Sequence, residues 1–129
     1  MQGYLYNEAM NYTQELEHIV NQIFTPGKGL LAADESTRST PKRLDPIGLE
    51  NTAENRRRFR NMLINAEGIE EYLSGVILHD ETFWQENLDG ELFVEQIKHK
   101  GMVPGIKVDE GMRILPGTDT EKYTQGLDN

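Results

Sequence analysis

Three short apolar runs in this chain each end in side chains able to move a proton or hold an anion. Leu30-Leu31-Ala32-Ala33 leads into Asp34-Glu35-Ser36, Val76-Ile77-Leu78 into His79-Asp80-Glu81, and Val103-Pro104-Gly105-Ile106 into Lys107-Val108-Asp109. Lys107 is the least expected of these residues, because Ile106 and Val108 hold its stem in apolar surroundings. Partial desolvation lowers an ammonium pKa and turns a lysine into a base or a Schiff-base nucleophile. A lysine at a strand end that snorkels its charge to water satisfies the same pattern, and both readings stand. Asp34 is open in the same way: a carboxylate for acid/base transfer or for pairing with Lys107, or a turn former and helix cap. His79, Asp80 and Glu81 are all metal-ligand types. Consecutive strand residues point to opposite faces, however, so no shared metal ion is expected there.

The basic residues are unevenly placed. Seven of the 13 lie between Arg38 and Arg60 (Arg38, Lys42, Arg43, Arg56, Arg57, Arg58 and Arg60), against three acids in the same stretch. A basic patch inside a chain of net charge −9 suits a small anion such as a phosphorylated metabolite. For Arg57, Arg58 and Arg60, a solvated helix surface paired to acids elsewhere is an equal alternative.

The elements that must position these residues alternate. Residues 7–24 have helical spacing, with Met10, Ile19, Val20 and Ile23 on one broad face, broken by Thr25-Pro26-Gly27. Residues 29–36 read as a buried strand with a polar end. A second helix is expected with Asn51 as its cap and Glu54 three residues on, running through Phe59, Met62, Leu63 and Ala66 to a stop at Gly68. Residues 75–78 form a second strand, 92–100 a short helix closed by Gly101, and 102–109 a third strand. Continuous apolar strands alternating with helices predict a parallel α/β sheet buried on both faces. Such sheets place their chemistry at the C-terminal ends of the strands, where each run here turns polar. After Asp109 nothing reads as a closing strand or a capping helix. Three parallel strands leave two open edges, so the sequence is expected to be part of a longer chain.

Composition removes several classes. The chain has 129 residues, 36% hydrophobic and 27% charged, which is a folding composition. Its acidic balance argues against a nucleic-acid partner. No apolar stretch approaches the 18 residues of a membrane span, and MQGYLYNEAM lacks the features of a signal peptide. With no Cys there are no disulfides, thiolate metal sites or cysteine nucleophiles, which fits a cytoplasmic protein.

Four blocks carry a family resemblance: GKGLLAADES at 27–36, TPKRLDPIGLENTAENRRRFR at 40–60, GVILHDET at 75–82 and GIKVDEG at 105–111, with YTQGLDN closing the chain at 123–129. Together, and in this order, they resemble the class I fructose-bisphosphate aldolases, from about residue 13 to the end. The resemblance implies a (β/α)8 barrel of which residues 1–129 are the N-terminal portion, about three of eight βα units. It implies cleavage of fructose 1,6-bisphosphate to dihydroxyacetone phosphate and glyceraldehyde 3-phosphate in glycolysis, through a lysine Schiff base, without metal or other cofactor. Carried over by motif, Asp34 matches the aspartate that assists the proton transfers. Lys107 matches a barrel lysine that interacts with Asp34 and substrate hydroxyls and is not the Schiff-base residue. Ser36, Ser39, Arg43 and Arg56 match substrate- or phosphate-binding positions.

By the same resemblance, the Schiff-base lysine lies beyond residue 129, so these residues alone are expected to be inactive, and the full-length enzyme is expected to be a homo-oligomer, often a tetramer. Three positions depart from the pattern. Arg38 stands where Gly is common, HDET replaces the commoner ending of the second strand, and Glu110 stands where Lys is frequent. They leave two alternatives in view: a related Schiff-base aldolase for another sugar phosphate, and a non-catalytic short protein that binds a phosphosugar or a protein partner.

Overall fold

The computed structural model describes the backbone of residues 2–127 and the side chains of residues 12–127. The side chain of Met10 and the last two residues of the closing YTQGLDN block lie outside that range. Helix α1 (Gln2–Ile23) leads into strand β1 (Gly29–Ala33). A helical turn α2 (Pro41–Leu44), a 3-10 turn (Asp45–Ile47) and helix α3 (Ala53–Ile64) follow, then a short α4 (Ile69–Tyr72) and strand β2 (Leu73–Leu78). The turn α5 (Asp80–Phe83), helix α6 (Phe93–His99) and strand β3 (Val103–Ile106) complete the sheet. The strands are parallel in the order β1-β2-β3. This is α/β architecture of the expected kind, with each pair of strands joined through helix.

The core forms on one face of this sheet: Ala33, Val76 and Leu78 pack against Ile64 of α3, Phe93, Val94 and Ile97 of α6, and Met102. Full burial of one such large side chain contributes roughly 1.5–3 kcal/mol. Helix α1 lies against β2 and β3. The Ser74 hydroxyl ties it down by donating to the Ile23 carbonyl at 2.7 Å. Ile19 and Ile23 are half-buried, whereas Val20 is exposed, so the apolar face of α1 is narrower than its spacing suggests.

Burial on both faces holds for β2 alone. Leu30 of β1 and Ile106 of β3 stay exposed, because these are the edge strands and nothing among the described residues covers their outer flanks. Gly75 shows how tightly the middle strand is held. A Cβ there would stand 2.7 Å from the Val103 carbonyl oxygen and 2.8 Å from the Leu30 side chain.

Helix α3 departs from the expectation at both ends. Its cap is Thr52, whose side chain accepts from the Asn55 amide at 3.1 Å. Asn51 is used elsewhere, donating to the Thr37 carbonyl at 2.9 Å. The helix stops at Ile64, before Gly68, which instead opens α4 with a positive φ of 70°. The residues after Asp109 are structured too. Strands β4 (Gly111–Ile114) and β5 (Lys122–Gln125) form an antiparallel hairpin, separate from the parallel sheet, around the Pro116-Gly117 turn.

Candidate active site

Strand register sets the site. Ala33 pairs with Leu78, and Leu78 pairs with Ile106, so the three strands end level. Asp34, His79 and Lys107 are therefore the first residues past each end, in a row across the C-terminal edge of the sheet. The Lys107 amide extends the ladder by one step, donating to the Leu78 carbonyl at 2.9 Å. His79 caps α5, which puts Asp80 and Glu81 in a helical turn, not on the strand. Among the described residues no group of three or more ligand-type side chains is placed to hold a metal ion.

Above this edge opens a cleft of about 840 Å³ whose walls include Ser36, Arg38, His79 and Lys107. The hairpin contributes its far wall through Gly111 and Gly126. Gly126 has φ +85°, and a Cβ there would meet the Glu110 side chain at 2.7 Å, so glycine lets the hairpin close against the loop after β3. Ser36 and Ser39 face each other with their hydroxyls 3.1 Å apart. The Ser36 carbonyl also accepts from the buried Thr40 hydroxyl at 2.8 Å, which pins the loop that carries both serines.

The structure gathers Ser36 and Lys107 at the cleft; Asp34, half-buried just past the end of β1, and Ser39 are not among the residues lining it. It does not bring Lys107 to Asp34. One whole strand separates β1 from β3, a gap of roughly 10 Å at the usual spacing. The Lys107 ammonium instead donates to Asp109, two residues along. That hydrogen bond heads the causes that hold the Asp109 carboxyl below the ordinary aspartate pKa.

Arg43 and Arg56 stand outside the cleft lining, engaged with protein carboxylates. Arg43 Nε donates to Glu35 at 3.2 Å. Arg56 grips Glu81 through two bonds of 2.7 Å and also donates to the Asn51 carbonyl and side-chain oxygen.

The residue that sequence reasoning misjudged is Arg60. The sequence leaves it open between an anion-binding patch and a solvated helix surface paired to acids elsewhere, yet its side chain is 2% exposed. Its guanidinium donates to the Glu35 carboxylate at 2.9 Å and to the Glu35 carbonyl at 2.8 Å, clamping the residue next to Asp34. Burial works to raise the Glu35 pKa, but its backbone hydrogen bond and the charges of Arg60 and Arg43 outweigh that and hold it below the usual value. Burial lowers the pKa of Arg60 in turn, against the pull of Glu35. Position 60 does follow Arg56 by four residues and precedes Ile64 by four, which places it on the inward side of α3. That spacing was the available signal.

Level parallel strands, charged residues just past their ends and a serine-bearing loop beside a cleft define an α/β protein whose polar groups gather at the C-terminal edge of its sheet, where such folds place their sites. Comparison with known proteins gives the family. Residues 15–129 match the sequence model of the family described as fructose-bisphosphate aldolase class-I, and the chain belongs to that family. It is 50% identical to fructose-bisphosphate aldolase 1 of Caenorhabditis elegans over 127 residues, 96% of this chain and 35% of that enzyme. It is 53% identical to aldolase C-B of Danio rerio over 89% of this chain and 32% of that protein. A solved structure of Plasmodium falciparum fructose-bisphosphate aldolase, in complex with TRAP and a small-molecule inhibitor, superposes with a TM-score of 0.84. The two are 46% identical over 89% of this chain and 33% of that one. The chain thus spans about a third of the length of the relatives it matches, and its three parallel strands are three of the eight βα units of an aldolase barrel.

Proposed function

We propose that this chain supplies the Asp34–Lys107 edge of a class I fructose-bisphosphate aldolase site, as one portion of a single barrel domain. The whole enzyme cleaves fructose 1,6-bisphosphate to dihydroxyacetone phosphate and glyceraldehyde 3-phosphate. One observation carries the reading: in a chain of this family, Asp34 and Lys107 stand just past the level ends of β1 and β3, and Lys107 and Ser36 line the cleft above that edge. Asp34 would move protons during carbinolamine formation and carbon–carbon cleavage, as a half-buried carboxylate is suited to do. Lys107, held in place by Asp109, would present its remaining N–H donors to substrate hydroxyls. Ser36 and Ser39 would donate to a phosphate, and Arg43 and Arg56 would brace the loop and helix around it. The Schiff-base lysine belongs to a segment outside these 129 residues, and the chain by itself turns nothing over. A cytoplasmic homo-oligomer is the state we propose for the whole enzyme, with the cysteine-free composition in keeping with that compartment.

A chimera tests this. Residues 1–129 would replace the matching third of the Caenorhabditis elegans enzyme, and cleavage would be followed by coupled assay. The expected result is turnover by the chimera and none by the purified 129-residue chain. A folded chimera that lacks activity, or cleavage by the chain alone, contradicts the reading.

A further inference from the structure

Charge at the cleft is distributed in a way that singles out one residue. Five of the seven basic residues between positions 38 and 60 are committed: Arg43 and Arg60 to Glu35, Arg56 to Glu81, and Arg57 and Arg58 to Glu54. Of the side chains lining the cleft, Lys107 is paired with Asp109, and the His79 ring accepts from the Glu81 amide. Asp80 accepts from the Trp84 indole, and Asp109 also accepts from the Gly111 amide. Arg38 is exposed, lines the cleft and has neither an ion pair nor a side-chain hydrogen bond among the described residues. It is therefore the cleft's uncommitted cation among those residues, two positions from Ser36 and on the same loop.

We propose that Arg38 is a specificity-determining residue that meets a phosphate group of the sugar, adding a charged contact to those of Ser36 and Lys107. The inference rests on the phosphosugar reading of the cleft given above. A guanidinium presents a planar fork of N–H donors matched to phosphate oxygens, and an unpaired one need break no internal ion pair to bind. The exposed Glu110, on the hairpin side, opposes an anion, so the phosphate is drawn to the Arg38 side.

The test is calorimetric titration of the folded chimera described above, its Arg38→Gly and its Arg58→Ala variants with a hexitol 1,6-bisphosphate, which has no carbonyl and is not cleaved, fructose and inorganic phosphate at fixed ionic strength. Arg58 is the control: the same charge is removed from α3, where Arg58 is paired with Glu54 and does not line the cleft. Arg38→Gly should weaken bisphosphate and inorganic phosphate by about tenfold, the scale of one lost charge-assisted contact, and Arg58→Ala by less than twofold. Fructose should show no dependence on Arg38. Equal affinity of the chimera with and without Arg38→Gly overturns the inference, as does an equal loss in Arg58→Ala. Failure of the folded chimera to bind the bisphosphate also overturns it. The aldolase reading fails separately: an inactive chimera alongside Arg38-dependent phosphate binding would leave the Arg38 site standing without the reaction.

Discussion

Two regions of the molecule carry its conspicuous polar residues, and they are built in opposite ways. Along α3, four arginines stand within five positions, and every one is matched to a carboxylate at 2.7–2.9 Å. At the strand ends, by contrast, Arg38 lines an open cleft with no ion-pair partner among the described residues, and Asp34, just past the end of β1, has none either. The arginine-rich stretch is the stronger charge signal in the sequence and the weaker candidate for binding an anion. A patch of one charge becomes a site only where the fold leaves it unpaired. Here Glu35, Glu54 and Glu81 absorb the excess on α3 and turn it into scaffold.

The sharpest way to break this contrast is catalytic. In the chimera, Asp34→Asn should lower kcat by a factor of at least about 100, the scale of a lost general acid/base. The unfolding midpoint should stay put, and a loss under tenfold would remove Asp34 from the chemistry. Arg60→Met should do the reverse, destabilising the chimera by about 3 kcal/mol in urea titration, because it leaves the Glu35 clamp with Arg43 alone. Gly75→Ala should cost about 2 kcal/mol, since the methyl would collide with the Val103 carbonyl.

Acid titration separates the regions further. The folded-state pKa of Glu35 lies below its ordinary value of 4.5. The stability it contributes is therefore complete above that value and is lost as pH falls through the folded pKa. Glu35→Gln should accordingly show a shallower acid loss of urea stability than the parent, and parallel curves would contradict the assignment. The smallest effect belongs to Arg58→Ala, an exposed i,i+4 pair with Glu54, which should change stability by no more than about 0.5 kcal/mol.

Much of this was legible in the chain. The three apolar runs give three strands, and their polar ends give the row at Asp34, His79 and Lys107, because burial on a central strand leaves a pattern that needs no partner to be read. What depends on register between distant segments was not. Arg60 looks like its neighbours until β1 brings Glu35 against it, 25 positions away in sequence. The same holds for Lys107, whose partner proves to be the local Asp109 and not Asp34 across the intervening strand. The hairpin of β4 and β5 escaped because its strands are four residues long and mostly exposed, so alternation carries little apolar signal. Its turn residues, Pro116-Gly117, were the usable mark. Asn51 and Thr52 are both good caps, and only the tertiary use of Asn51 to hold the Thr37 carbonyl decides between them.

The most direct test of the contrast is a ¹H–¹⁵N NMR titration of the 129-residue chain with fructose 1,6-bisphosphate. If the strand ends are the site, the amides of residues 34–39, 79 and 107–111 shift together and saturably, while those of residues 54–60 stay within experimental scatter. Dominant, saturable shifts along α3, with the strand ends unmoved, would show that the paired arginines bind the sugar phosphate and would contradict the account.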